Sequence, residues 1–357
     1  MNTSPTLQST FLKACRGEVT DYTPVWFMRQ AGRYMDIYRE DKAGFKTFLD
    51  FCKNPEILAK VTTDAQRIID ADAAILFSDL PLILEPMGLD LEYPTGVGPY
   101  IHNPVRTPKD IAALIQPHIS TQMNFVGDTI QLIKEQLPID IPLIGFSGAP
   151  FTLASYAIEG KGSKQYYHVK YLMYNHPKEW HSLMEQLSEI VTEYLLYQID
   201  KGVDCVQVFD SWMGSLSPQD FAEFVLPHTK KIFQTLKVQA PHVPSIYFGT
   251  GAGTFMDLKQ QAGADVIGFD WRTPIQPLWD TLGCKAVQGN LDPLALCGPK
   301  DYLEKQVDFI LESVGSKPGH IFNLGHGIIP QTPVEHVTHI VQYIKRRSKE
   351  IRLSQKS

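Results

Sequence analysis

Short apolar runs punctuate the chain, and each closes on polar or small residues. In order they are 24–29 (PVWFMR), 73–79 (AAILFSD), 142–148 (PLIGFSG), 204–211 (DCVQVFDS), 244–250 (PSIYFGT), 265–271 (DVIGFDW), 286–292 (AVQGNLD) and 320–326 (HIFNLGH). Runs that are apolar nearly throughout predict strands buried on both faces, as in a parallel sheet. Helix-like stretches separate most of them, which is the alternation of βαβ units. Residues 177–201 begin on Pro177 and stop before Gly202, 217–237 open on Ser217-Pro218, and 333–347 follow Thr332-Pro333. A capping residue and a proline in the first turn start a helix. Eight such runs predict one α/β domain over 1–357, a single (β/α)8 TIM barrel, with ends frayed near 1–8 and 350–357. The interval from Asp79 to Pro142 is longer than one helix needs. Gly-Pro turns between short apolar pieces at 83–106 predict a β-hairpin excursion after the second strand, followed by a helix at 121–137.

An open doubly wound sheet is the alternative to a barrel. That fold carries a glycine-rich phosphate loop after its first strand. Here the first strand runs into Arg29-Gln30-Ala31-Gly32-Arg33, and Gly251-Ala252-Gly253 is too weak a match to take the loop's place. Composition narrows the function. With 43% hydrophobic and 20% charged residues the chain is ordinary for a globular protein. A net charge of −6 argues against nucleic-acid binding through a broad electrostatic field. It leaves room for an anionic small molecule, since a few arginines dominate locally in a low-dielectric pocket. Five scattered cysteines without CxxC pairs, no apolar leader and no membrane-spanning run predict a cytoplasmic protein with reduced thiols and no membrane partner.

A barrel's active site lies at the carboxyl ends of its strands. There the runs place Arg29, Arg33, Asp79, Ser147, Ser211, Thr250, Asp270, Asp292 and His326, a polar rim. Arginine forks suit carboxylates or phosphates. Two of them flanking Gly32 at the first strand's mouth favour anion binding over a salt bridge to a rim aspartate. If the segment turns helical, both share one face. Asp79 either caps the following backbone or does chemistry. Tyr156, inside the helix that Pro150 opens, either packs or presents its hydroxyl. His326 between two glycines reads as exposed rather than core.

Several of these residues sit in blocks that carry a resemblance. PVWFMRQAGRY at 24–34 and GFSGAPFTLASYAIEG at 145–160 resemble the two signature blocks of the uroporphyrinogen decarboxylase family. FSD at 77–79, FDSW at 209–212 and FNLGHGI at 322–328 match further blocks in the same order. The resemblance implies removal of CO2 from the four acetate side chains of uroporphyrinogen III, giving coproporphyrinogen III. It also implies a homodimer with neither metal nor other cofactor. Carried over by position, the catalytic set is Asp79, Arg29, Tyr156 and His326. The substrate-binding set adds Gln30, Ala31, Gly32, Arg33 and Ser211. Asp79 matches the aspartate that meets the pyrrole N–H groups. Lys42 stands where many members have arginine, so the charge stays but the planar fork is lost. Among proton donors, Arg29 has position but is a very weak acid, whereas His326 or a bound water titrates closer to neutrality.

Two other readings compete. A zinc-dependent corrinoid or thiol methyltransferase on the same barrel needs soft ligands such as His-x-Cys. No histidine stands two residues before any of the five cysteines. A non-catalytic tetrapyrrole-binding protein would leave the same trace in the sequence.

Overall fold

The computed structural model describes residues 5–355. Nine strands follow in chain order: β1 (Ala74–Ile75), β2 (Leu91–Glu92), β3 (Tyr100–Ile101), β4 (Leu143–Gly148), β5 (Cys205–Asp210), β6 (Ser245–Gly249), β7 (Val266–Gly268), β8 (Ala286–Gln288) and β9 (His320–Ile321). Seven form one parallel sheet in the order β1-β4-β5-β6-β7-β8-β9. The longest pairings lie at its centre, Ile144↔Cys205 to Gly148↔Phe209 and Val206↔Ser245 to Asp210↔Gly249. All of β4 is buried, as expected of a strand covered on both faces. Each strand is shorter than its apolar run, losing one or more residues at its ends.

Seven of the eight expected strands are therefore present, and the run at 24–29 is not one of them. Val25 makes a single parallel bridge to Phe322. The segment is still tied to both edges of the sheet. The N–H of Phe322 donates to Pro24 O at 2.8 Å, that of Trp26 donates to Phe322 O at 3.3 Å, and that of Asp72 donates to Val25 O at 2.8 Å. The Asp72 carboxylate returns the last bond, accepting from the Val25 N–H at 2.8 Å. A ladder cannot continue further because the chain reverses at Arg29, whose φ is +60°.

The predicted helix at 177–201 is Pro177–Lys201, closed by Gly202 at φ +115°. The one at 217–237 divides at Val225 into Pro218–Phe224 and Leu226–Gln239, because Pro227 has no N–H to carry the ladder across. The stretch at 121–137 likewise divides, into Ile119–Gln122 and Asn124–Gln136. The last helix runs Val334–Ser354, so the expected fraying from 350 does not occur over the described residues. Burial explains it: Ile351 and Arg352 pack inward, and the Arg352 guanidinium donates to Thr23 Oγ1 at 3.0 Å. At the other end Pro5–Gln8 forms a 3-10 turn, with the Thr6 hydroxyl donating to Ile139 O at 2.6 Å. The rest of both expected frayed ends, 1–4 and 356–357, lies outside the described residues.

Between β1 and β4 the chain makes an antiparallel pair, with Leu91 opposite Ile101 and Glu92 opposite Tyr100. The Ile101 N–H donates to Gly160 O at 2.7 Å, which ties the pair to the end of helix Pro150–Glu159. Among the described residues no helix is long and apolar enough to cross a membrane.

Candidate active site

The carboxyl ends of β1, β4, β5 and β6 surround a cavity of about 190 Å³. Phe77, Phe146, Phe209 and Phe248 line it, one from each strand end. The last three rings pack edge to face, with 5.5 Å between the centroids of Phe146 and Phe209 and 6.0 Å between those of Phe209 and Phe248. The result is an aromatic cup. These four residues are not among the polar rim expected from the sequence, although the sequence carries a signal for them. Each phenylalanine directly precedes a small or polar residue at its strand end: Phe77-Ser78, Phe146-Ser147, Phe209-Asp210 and Phe248-Gly249.

Arg29, Asp79, Tyr156, Ser211, Trp212 and His326 also line the cup. Arg29 is exposed and sits in the left-handed region, a conformation that costs a side-chain-bearing residue about 1–2 kcal/mol. The surrounding backbone holds it there. The Met28 N–H donates to Asn323 Oδ1 at 3.2 Å, and the Ile328 N–H donates to Met28 O at 3.0 Å. The turn also separates the two arginines. The stretch from Arg29 to Met35 is not helical and the next helix starts only at Asp36, so Arg29 and Arg33 share no helical face. Arg33 is exposed, does not line the cup, and its carbonyl accepts from Arg39 at 2.6 Å. Gln30 and Ala31 reach the wall, but Gln30 is fully buried, its amide donating to Ala73 O at 3.2 Å. Gly32 stays off the wall. Lys42 is off it too, its ammonium 5.6 Å from the Phe48 ring centroid.

Asp79 follows β1. Its Oδ1 accepts the Leu80 N–H at 2.9 Å, so it does cap the next turn, while the carboxyl group also opens on the cup. Burial pushes its pKa above the ordinary carboxylate value; the Tyr93 hydroxyl, the Leu80 N–H and the Arg29 charge pull the other way. Tyr156 comes from helix Pro150–Glu159 and packs on Trp212, ring centroids 6.0 Å apart. Burial raises its pKa, with the Asp79 charge adding to the effect, so the phenol stays protonated. The Ser211 carbonyl accepts from the Thr250 hydroxyl at 2.7 Å, and its own side chain faces the cup.

His326 departs from expectation twice. Its two glycines do not expose it; they allow close packing instead. A Cβ at Gly325 would lie 2.1 Å from the Trp271 backbone nitrogen, and one at Gly327 would lie 2.4 Å from Arg29 Cδ. Nor does the imidazole titrate near neutrality, since burial and the Arg29 and Arg272 charges lower its pKa to about 4. At neutral pH the ring is uncharged. Its Nδ1 accepts the Gly327 N–H at 2.8 Å, which leaves Nε2 to carry the proton. In the free protein His326 is thus a neutral hydrogen-bond donor, not an imidazolium acid.

The remaining rim residues are engaged elsewhere. Asp270 is buried and accepts from the Gly251 N–H at 2.5 Å, the Arg272 N–H at 3.0 Å and the Thr273 hydroxyl at 3.0 Å. Asp292 caps the turn at Leu294, at 2.9 Å. Ser147, Thr250, Asp270 and Asp292 do not line the cup. Of the three rim carboxylates, only Asp79 reaches it. Among the described residues no group of three or more His, Cys, Asp or Glu side chains is arranged to hold a metal ion.

A parallel α/β sheet that gathers an arginine, one half-buried carboxylate and an imidazole around an aromatic cup at its carboxyl ends defines an α/β enzyme. The chain belongs to the uroporphyrinogen decarboxylase (URO-D) family, whose model matches residues 6–347. It is 48% identical over 343 residues to "Uroporphyrinogen decarboxylase" of Carboxydothermus hydrogenoformans, covering 96% of this chain and 97% of that one. The protein of the same name from Sorangium cellulosum is 48% identical over 335 residues, covering 94% and 95%. Among solved structures, a methyltransferase from Methanosarcina mazei superposes with a TM-score of 0.78 at 21% identity, covering 96% of this chain and 99% of that one. At that identity the likeness speaks to the fold alone.

Proposed function

We propose that this protein is a carboxy-lyase that converts uroporphyrinogen III to coproporphyrinogen III in tetrapyrrole synthesis. The observation that carries the reading is the single carboxylate, Asp79, set beside Arg29 over an aromatic cup. A reduced tetrapyrrole presents inward N–H groups, apolar ring faces and peripheral carboxylates. Asp79 would accept from the N–H groups, the phenylalanines would meet the ring faces, and Arg29 would hold a carboxylate. A cavity of about 190 Å³ is smaller than the roughly 300–1,000 Å³ that takes up a drug-sized ligand. The macrocycle would therefore rest partly outside, where Arg33 and other exposed basic groups can meet its rim.

In each turnover a pyrrole carbon beside the acetate takes a proton and the ring becomes a cation. The acetate C–C bond then breaks, its electron pair flows into the ring, and CO2 leaves. A proton delivered to the exocyclic carbon makes the methyl group, and loss of the first proton restores the pyrrole. The net change is one acetate carboxylate and one proton to one methyl and one CO2. The protein has to stabilise a transient cation, and an ionised Asp79 does so electrostatically. Neutral His326, Tyr156 and Ser211 act as hydrogen-bonding groups around the carboxylates. With His326 uncharged, the proton comes from water or from the Arg29 side.

Three further elements belong to this reading. Segment 24–29 serves as the eighth stave of a closed (β/α)8 barrel, supported by its backbone bonds to Phe322 and Asp72 at opposite edges of the sheet. The β2–β3 pair is the predicted hairpin excursion. The enzyme works as a cofactor-independent homodimer in the cytoplasm, which the family resemblance and five unpaired cysteines support. Mass spectrometry of uroporphyrinogen III incubated with the protein, EDTA present, tests the activity. Stepwise loss of up to four CO2 is expected. A methyl transfer, or bound substrate of unchanged mass, would overturn the reading.

A further inference from the structure

Tyr93 directly follows β2. It does not line the cup, so it approaches the site from outside the wall that substrate would touch. Its ring is fixed edge-on against Phe48, with 4.8 Å between centroids. Its hydroxyl is buried and lacks a hydrogen bond of full geometry. Leaving a buried phenol without a partner is destabilising. The acceptor at hand is the Asp79 carboxylate, close enough for the two groups to act on each other. Asp79 Oδ1 already takes the Leu80 N–H, so the carboxylate has lone pairs to spare.

We propose that Tyr93 is a positioning residue for Asp79: the β2–β3 pair delivers a phenolic O–H behind the carboxylate, fixing its orientation and favouring its ionised form. This rests on the decarboxylase reading, and it gives the chain between β1 and β4 a task that its length alone did not explain. Other groups also act on Asp79 or share its surroundings. The Arg29 charge acts on it and favours ionisation. Tyr38, Cys52 and Tyr156 also lie within electrostatic range, and burial keeps all three protonated, so none supplies an opposing charge near neutral pH. Tyr93 stays protonated for the same reason and serves as a donor across the working range.

The test is Tyr93→Phe, which removes one oxygen and keeps the ring on Phe48. Two readouts are taken. The first is a 13C NMR titration of the Asp79 carboxyl in substrate-free protein, the resonance assigned with Asp79→Asn. The second is the pH profile of kcat and kcat/KM. The Phe variant should melt within a few degrees of the parent. Its Asp79 should titrate at higher pH, and the acid limb of kcat/KM should move the same way. At neutral pH kcat should fall roughly tenfold or more with KM little changed, the loss expected when a hydrogen bond to a charged group goes. An Asp79 resonance that titrates identically in parent and variant overturns the proposal, as does an unmoved acid limb with parental kcat. The titration needs no substrate. It therefore decides the role of Tyr93 separately from the outcome that would sink the decarboxylase reading, a parent protein that releases no CO2.

Discussion

In the proposed reading Asp79 does two jobs with one side chain, and the two respond differently to substitution. As a cap it needs an acceptor oxygen toward Leu80, which Asn also supplies. As a partner for a protonated pyrrole it needs a negative charge, which Asn lacks. Asp79→Asn should therefore keep its melting temperature within a few degrees and lose about 10²–10³ in kcat. Asp79→Glu keeps the charge at a displaced position and should retain more activity than Asn. An Asn variant that melts early yet turns over normally would leave Asp79 as a cap only. Because burial raises the Asp79 pKa, the acid limb of kcat/KM should lie above the ordinary carboxylate range. The Arg29 charge holds that pKa down, so Arg29→Ala should move the limb to still higher pH while weakening substrate binding. A limb that stays in place in Arg29→Ala would show that the guanidinium does not act on the carboxylate. At this scale residue type and place at or after a strand end pointed to Arg29, Asp79, Tyr156, Ser211 and His326, which the structure brings to one cavity. Which of several similar residues are free was not legible. Asp270 and Asp292 also end apolar runs, yet backbone N–H groups take up their oxygens: Arg272 and the distant Gly251 for Asp270, and Leu294 for Asp292.

Among the elements, the turn at 28–35 and the segment after β9 act as a unit. Arg29 takes its left-handed conformation where Met28 O is bonded by Ile328, and its side chain lies over Gly327. A methyl group at Gly327 would meet Arg29 Cδ at 2.4 Å, Cγ at 2.7 Å and Nε at 3.0 Å. Those atoms belong to a flexible side chain, so the fold should tolerate Gly327→Ala while the guanidinium is pushed aside. We expect KM for uroporphyrinogen to rise roughly tenfold, with kcat changed less and melting nearly unaltered. Parental KM in Gly327→Ala would mean that Arg29 binds substrate from another rotamer. The pattern Gly-His-Gly was visible in the sequence, but its purpose was misread as exposure, since a glycine looks the same whether it clears a path for solvent or for a neighbour. The helix break at Val225 was within reach of local reasoning through Pro227. The division at Met123 carried no comparable signal.

At the scale of the whole molecule, one buried lysine couples stability to pH. Lys259, on helix Met256–Gln261, is fully buried, and its ammonium donates to Gly268 O at 2.5 Å. Burial lowers its pKa to about 7, against the pull of Asp270 and Asp210. The unfolded chain keeps this proton up to the ordinary lysine range, about 10.4. Between the folded and unfolded values the unfolded state binds more protons, so stability rises with pH across that window, and below about 7 the contribution is absent. Lys259→Met should flatten this slope, removing at most a few kcal/mol of difference between pH 7 and 10. Chemical denaturation at the two pH values measures it, and equal slopes in parent and variant would show that Lys259 keeps its charge by other means. The sequence by itself determined the sheet's parallel class, the order of its strands along the chain and the end of the sheet at which the cavity lies. Periodicity and strand-closing residues are local properties, and they survive being read one segment at a time. Tertiary structure alone decided which rim residues meet in one cavity, that Arg33 stands outside it, and that four phenylalanines form its floor. It also set the charge on His326, about 4 in pKa rather than near neutrality. Those outcomes depend on burial and on partners far apart in the chain, and desolvation acts on a side chain only once distant segments have closed around it.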